Sequence, residues 1–366
     1  MVTASIKNIK ERDLARLFTQ RLLYWHKHSN NREMPWKEEK DPYKIWLSEI
    51  ILQQTRVEQG LSYYEKFVRL YPTVKDLADA NPDQVFKAWE GLGYYSRCKN
   101  LIESAKVIAT QYQGKFPRDY DQILALKGVG PYTAAAISAF AYNQPYAVLD
   151  GNVFRVLSRI FGIHIPIDST EGKKVFQQLA EQALDPTYPA KYNQAIMDFG
   201  ATVCKPASPI CSSCPMTDLC MAKNTAQVNQ LPKKEKTLQK KTRHISWFIL
   251  ELPEKGLFYI QKRPAGDIWE NLHEFYPIET TGKPEWSTSQ LQELIYNQLG
   301  VKTLFVEAIQ TNSQQLTHQK IFGYFFHVQL DNQPENLTKA HWFTWRQLQQ
   351  KAFPKLLKNI QTPSFP

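Results

Sequence analysis

The sequence predicts an all-α domain followed by a smaller α+β domain. Three observations carry this. From Glu11 to about Asn224 apolar residues recur at helical spacing, with no repeated alternation. Around Leu231 a basic, apolar-poor stretch interrupts the pattern. Beyond it, segments of period two appear. The length of 366 residues favours two domains, and hydrophobic and aromatic shares of 43% and 13% can fill two cores. The expected boundaries are 1–228, a linker at 229–243, and 244–366.

The first helix is expected over Asp13–Lys27, where Leu14, Leu17, Phe18, Leu22 and Trp25 form one stripe. Asp41-Pro42 and Asn81-Pro82 each pair an N-cap residue with a first-turn proline, so helices start at Pro42 and Pro82. Further helices are expected over Tyr94–Tyr112, Tyr120–Leu126, Asn152–Phe161, Glu171–Leu184 and from Ala190 towards Cys204. The stretch LPKKEKTLQKKTR carries six basic residues against one acidic and reads as a solvated linker, with phosphate contact as a secondary role. Strands are expected over Ile245–Leu252, Gly256–Lys262 and Gly323–Leu330, and helices over Ser289–Leu299 and Trp345–Phe353.

Net charge is +10 and the pI near 9.1, which favours a polyanionic partner. No apolar run reaches membrane-spanning length, and MVTASIKNIKERD lacks the apolar centre of a signal peptide, so a soluble cytosolic protein is expected. Four of the five cysteines, Cys204, Cys211, Cys214 and Cys220, are spaced C-x6-C-x2-C-x5-C. In a reducing compartment four close thiols point to a metal rather than to disulfides, and the spacing suits zinc or an iron–sulfur cluster equally. Cys98 stands apart and reads as a buried structural thiol.

Chemistry is expected in two stretches. In Lys127-Gly128-Val129-Gly130, glycines bracket one apolar residue and open onto the small-residue helix Pro131–Tyr142. That arrangement leaves the first-turn N–H groups for a phosphate oxygen. Eight residues past Tyr142 stands Asp150, either a helix cap or a working carboxylate. In WLSEIILQQT, Glu49 has Ile45, Trp46, Leu52 and Gln53 as its helical neighbours. A carboxyl on so apolar a face is desolvated and holds its proton more tightly, as a general acid must. The same Glu at the edge of the stripe would instead be exposed or paired with an Arg.

Together PWKEEKDPYKIWLSEIILQQT, WEGLGYYSR, LKGVGPYTAAA, LDGNVFRVLSR, NQAIMDFGA and the four cysteines resemble the helix–hairpin–helix DNA glycosylases, and among them the MutY-type adenine glycosylases. The resemblance is dense from about 32 to 224 and looser beyond. It implies an all-α helix–hairpin–helix glycosylase domain, a [4Fe–4S] cluster on Cys204, Cys211, Cys214 and Cys220, and a C-terminal α+β Nudix-like domain. Glu49 then matches the acid that protonates adenine at N7, and Asp150 the carboxylate that stabilises the oxocarbenium ion, a two-carboxylate logic. Asn152 matches a polar residue near the reacting sugar. Gly128, Val129 and Gly130 would grip the phosphate beside a flipped nucleotide. Arg32 and Trp36 match residues of the adenine pocket, and Gln54 and Tyr94 residues that wedge into the gap and meet the opposite base.

Where strand-cleaving relatives carry a lysine two residues after GVG, this sequence has Tyr132, and a phenol cannot form an imine. Base removal without efficient strand cleavage is expected, with Tyr132 buttressing Asp150. In the second domain WENLHEFYPIE carries the Nudix likeness, but SQLQELIYNQLG has the single Glu293 where a hydrolase needs a glutamate-rich helix. The resemblance implies recognition of 8-oxoguanine instead, through Leu316-Thr317-His318 in place of Phe-Ser-His. The implied partner is double-stranded DNA with A:8-oxoG or A:G mispairs, met by a monomer at a bacterial nucleoid. The rivals are a thymine or uracil mismatch glycosylase, a lesion-binding protein without catalysis, and a Nudix hydrolase.

Overall fold

The computed structural model describes residues 11–235, 240–358 and 360. The N-terminal decapeptide and residues 236–239 of the expected linker lie outside the described residues. The helices are α1 (Glu11–His28), α2 (Pro42–Leu52), α3 (Val57–Leu70), α4 (Val74–Asp79), α5 (Pro82–Trp89), α6 (Tyr95–Gln111), α7 (Tyr120–Leu124), α8 (Pro131–Tyr142), α9 (Gly151–Phe161), α10 (Thr170–Ala183), α11 (Pro189–Thr202) and α12 (Met221–Asn224). Strands β1 (Lys241–Leu252), β2 (Leu257–Tyr259), β3 (Gln261–Lys262), β4 (His273–Glu274) and β5 (Tyr276–Thr280) follow. Then come α13 (Thr288–Leu299), β6 (Thr303–Gln315), β7 (Gln319–Leu330), β8 (Trp342–Thr344), α14 (Trp345–Leu348) and α15 (Lys355–Lys358). Contacts divide the chain into two compact units, Met1–Ala78 with Glu103–Thr237 and Asp79–Ile102 with Leu238–Pro366.

The first unit is helical throughout its described residues. Both expected caps form: Asp41 accepts from the N–H of Tyr43 ahead of Pro42, and in the second unit Asn81 accepts from that of Asp83 ahead of Pro82. Phe18, Leu22, Val156, Leu157, Phe176 and Phe199 join one core from α1, α9, α10 and α11. Ala134 to Ala139 of α8 are all buried, which explains the small residues: a helix packed on several sides leaves no room for longer ones.

The second unit is built on a sheet of order β6-β7-β1-β2-β8, with β5 also pairing β1. β1 and β7 run parallel from Lys241↔Gln319 to Glu251↔Gln329, and α13 packs Leu291, Ile295 and Leu299 into the core on that sheet. Two expectations need correction. The helix expected over Trp345–Phe353 ends at Leu348, because Thr344 caps only one turn and Pro354 stops any continuation. The strand expected over Gly256–Lys262 is broken at Ile260, whose N–H turns to the carbonyl of His341.

Candidate active site

Glu49 projects from α2 into a cavity of about 750 Å³. Arg32, Trp36, Gln54, Tyr132, Asp150 and Asn152 line the same cavity, so seven of the expected site residues converge. Burial pushes the Glu49 carboxyl up to about 7; a hydrogen bond from the Tyr132 hydroxyl opposes the shift and the charge of Asp150 adds to it. Burial first, then the charges of Glu49 and Asp150, hold the Tyr132 phenol well above its ordinary value, so at neutral pH it is a hydrogen-bond donor. Its oxygen also lies 3.4 Å from Met197 Sδ.

Asp150 caps α9 and faces the cavity at once. One carboxylate oxygen accepts from the Val153 N–H at 2.8 Å and the other from Asn152 Nδ2 at 2.7 Å. Burial raises this carboxyl, while the Val153, Asn152 and Arg155 interactions pull it down. Arg155 donates to Asn152 Oδ1 at 2.8 Å and to the carbonyls of Cys204 and Gly200 at 2.7 and 2.8 Å. A carboxylate on one side and a guanidinium on the other fix which way the Asn152 amide points. Asn152 thus orients Asp150, and α9 carries one line of hydrogen bonds from that carboxylate to the cysteine loop.

The hairpin forms between α7 and α8. Gly128 sits at φ +76°, a conformation open to glycine at little cost, and the Val129 N–H closes the turn on the Leu126 carbonyl at 3.1 Å. Val129 itself is buried, so Gly128 to Gly130 offer a ligand their backbone, while the Lys127 side chain beside them is exposed. Gln53 Nε2 reaches the Gly128 carbonyl at 3.4 Å and Thr133 Oγ1 at 3.3 Å, tying the end of α2 to the hairpin. Gln54, next in the chain, is exposed at φ +55°. A non-glycine residue in that region costs about 1–3 kcal/mol, and such strain gathers at working positions.

The sequence reading missed the far wall of the cavity. Asp198 on α11 is fully buried and accepts from Arg32 at 2.9 Å, Asn30 Nδ2 at 2.7 Å and Gln194 Nε2 at 2.9 Å, with Lys37 Nζ at 3.2 Å. A signal existed: Gln194 and Asp198 are polar at i, i+4 among the apolar residues Ala195, Ile196, Met197 and Phe199. Trp36 stands edge-on to Tyr64, ring centres 5.2 Å apart.

In the second unit Tyr94 is 44% exposed at φ +47°, and its hydroxyl lies 2.8 Å from Thr317 Oγ1. Arg97 stacks on both the Trp89 and the Tyr94 rings at 5.3 Å. Thr317 and His318 form the tip of the β6–β7 hairpin, closed by the Leu316 N–H on the Gln319 carbonyl at 2.7 Å.

Cys204, Cys211, Cys214 and Cys220 line one small cavity beside α9. Burial raises the Cys204 and Cys220 thiols and pushes that of Cys214 up to about 12. Arg159 reaches Cys204 Sγ at 3.5 Å, and the Met216 N–H donates to Cys214 Sγ at 3.4 Å. Among the described residues no group of three or more side chains stands in ligating geometry for a single ion. Four half-buried sulfurs around one cavity, with N–H donors aimed at two of them, nonetheless suit a thiolate-bound group, since a bound cation favours the deprotonated form.

Residues 47–183 match the HhH-GPD superfamily of base excision DNA repair proteins, and residues 246–362 the NUDIX domain. The adenine DNA glycosylase of Buchnera aphidicola (subsp. Acyrthosiphon pisum) is 36% identical over 261 residues, which span 71% of this chain and 73% of the relative. The chain belongs to the adenine DNA glycosylase family. The rat member of that family is 29% identical over 398 residues, spanning 94% of this chain and 77% of its own. Among solved structures, a thermostable thymine-DNA glycosylase aligns at a TM-score of 0.54 and 30% identity, over 58% of this chain and 97% of its own. An endonuclease III–DNA complex aligns at 0.51 and 19% identity, over 60% of this chain and 98% of its own, a likeness of fold alone. Adenine glycosylases are enzymes of base excision repair, and both the helical unit and the Nudix-like unit now have their place in that family. Among the described residues, no helix is long and apolar enough to cross a membrane.

Proposed function

We infer that this chain is a monofunctional DNA glycosylase that hydrolyses the N-glycosidic bond of adenine mispaired with 8-oxoguanine or guanine. The observation that carries the reading is that Glu49, Asp150 and Tyr132 line one cavity. Protonated Glu49 gives its proton to N7 of the extruded adenine, and the C1′–N9 bond breaks with its electrons leaving on the base. Asp150 holds the positive charge left on the sugar, water adds at C1′, and a carboxylate accepts the water's proton. No amine stands at position 132 to capture C1′, so the strand stays intact.

Arg32 and Trp36 would hold the base, Gln54 the gap it leaves, and the backbone of Gly128, Val129 and Gly130 the adjoining phosphate. For the opposite base, Tyr94 bonded to Thr317, with His318 beside it, offers hydroxyl groups on one surface of the second unit. Cys204, Cys211, Cys214 and Cys220 would hold a [4Fe–4S] cluster, which would cross-link the loop after α11. The domain division at 229–243, the monomeric state and a bacterial cytoplasmic, nucleoid-associated setting complete the proposal.

The thymine-DNA glycosylase likeness favours one second reading, removal of thymine or uracil from G mispairs. Protein in excess is incubated with duplexes carrying A:8-oxoG, A:G, A:C, T:G and U:G, and alkali reveals the abasic sites. Release of adenine from A:8-oxoG and A:G is expected. Preferential release of T or U would install the second reading, and borohydride-trapped strand breaks without alkali would overturn monofunctionality. Iron and sulfide analysis tests the cluster, and stoichiometric zinc in their place would remove it.

A further inference from the structure

We propose that Asp198 sets the donor–acceptor polarity of the base pocket and so makes it select a base bearing an exocyclic amine. The inference rests on the glycosylase reading and extends it to a residue outside the carboxylate pair.

Asp198 is 0% exposed, so its carboxylate survives only by being hydrogen-bonded. Its hydrogen-bond and close ion-pair partners are donors, Asn30 Nδ2 at 2.7 Å, Arg32 at 2.9 Å, Gln194 Nε2 at 2.9 Å and Lys37 Nζ at 3.2 Å, with His26 Nδ1 further off at 4.0 Å. An ionised carboxylate only accepts, which removes the ambiguity of the two neighbouring amides. Asn30 must turn its NH2 to Asp198, and its oxygen then receives the Arg32 backbone N–H at 3.1 Å, pinning the segment that carries Arg32. Gln194 must also turn its NH2 inward, which leaves its carbonyl oxygen as the acceptor presented to the cavity it lines. Gln194 and Asp198 lie one turn apart on α11, so backbone geometry holds this relation. An acceptor there matches an amino group and repels a keto oxygen. Asp198 is buried beneath this wall, does not touch the base and is a positioning residue.

The test compares single-turnover release of adenine and of hypoxanthine, which carries a keto oxygen in place of the amine, from otherwise identical duplexes. In Asp198→Asn the new amide can donate or accept, Gln194 is free to invert, and the adenine-to-hypoxanthine ratio should fall by about tenfold, the scale of one misdirected hydrogen bond. Asp198→Glu remains acceptor-only and should keep the ratio even where the absolute rate falls. The alkaline midpoint of the rate should stay in place in both. Gln194→Met should lower the ratio alone, and adding Asp198→Asn to it should change the ratio no further. A ratio within twofold of the parent in a folded Asp198→Asn, or an additive double variant, overturns the proposal. If Asp198→Asn does not fold, an unchanged ratio in Gln194→Met does so. Failure of the parent to release adenine would overturn the glycosylase reading instead, and that outcome is distinct from all of these.

Discussion

At the scale of single residues the two carboxylates differ in what surrounds them, and that difference is measurable. Glu49 has its carboxyl pushed up to about 7 by burial, against 4.5 in the open chain. If its protonated form is the acid, the rate of base release falls as pH rises through about 7, and Glu49→Gln abolishes release while duplex binding survives. The same shift acts on folding. A carboxyl raised in the native state contributes its stability fully below pH 4.5, and that contribution is lost as pH climbs to about 7. The loss amounts to roughly 3 kcal/mol, and denaturant melts of Glu49→Gln should show a smaller decline across that window. A variant that declines as steeply as the parent would place the proton elsewhere. Asp150 separates cap from chemistry. Asparagine can still accept from the Val153 N–H but turns its NH2 onto the Asn152 amide donor, so Asp150→Asn should cost about 1–3 kcal/mol for the lost bond and lose base release, while Asp150→Ala forfeits the cap of about 1 kcal/mol as well. Equal activity in Asp150→Asn would reduce this residue to its cap. Glu49 was legible because its helical neighbours are apolar and their effect on a carboxyl is local. Asp198 was not, because apart from Gln194 one turn away its donors lie on a segment more than 160 positions earlier.

At the scale of elements, the site depends on how closely α11 lies on α9. A Cβ added to Gly200 would stand 2.7 Å from Asn152 Cβ and 3.2 Å from its carbonyl oxygen. Gly200→Ala therefore costs about 1–3 kcal/mol of overpacking and moves Asn152, whose amide holds Asp150. Base release should fall about tenfold or more at temperatures where the variant is fully folded, read by single-turnover assay beside a melting curve. Lost stability with an unchanged rate would mean that the Asn152–Asp150 bond does not set the carboxylate's position. The sequence announced α2, α5, α9 and α13 well, since caps and first-turn prolines act on the next few residues. β6 went unread although it has 13 residues. It is the edge strand, polar on much of both faces, and irregularities between Thr303/Phe305 and Ala308/Gln310 break its alternation. A strand whose register is imposed by its neighbour β7 has little reason to carry a period of its own.

At the scale of the molecule, chain order and packing part company, because Asp79–Ile102 clusters with the C-terminal unit. The links are ones that no periodicity discloses: Lys262 Nζ to Asp83 at 2.6 Å, Lys99 Nζ to Glu270 at 2.7 Å and Lys87 Nζ to the Lys351 carbonyl at 2.8 Å. The net charge of +10 belongs to the chain as a whole and was legible from the first count. Its consequence is a large sequence-independent share of DNA binding. Each phosphate neutralised releases condensed counterions, with a slope of about −0.9 in log affinity against log salt. If the backbone of Gly128 to Gly130 meets a phosphate as proposed, that contact is polar but uncharged, so removing nearby lysines should change that slope while leaving mispair preference intact. For the Glu49→Gln protein on an A:G duplex, raising salt from about 50 to about 200 mM should weaken binding by about tenfold or more, measured by anisotropy. The matched A:T duplex should weaken in parallel, with the ratio between the two constant. A ratio that collapses with salt would mean that discrimination between mispair and matched pair is itself electrostatic, and would take it away from the polar pocket and the hydroxyl pair of Tyr94 and Thr317.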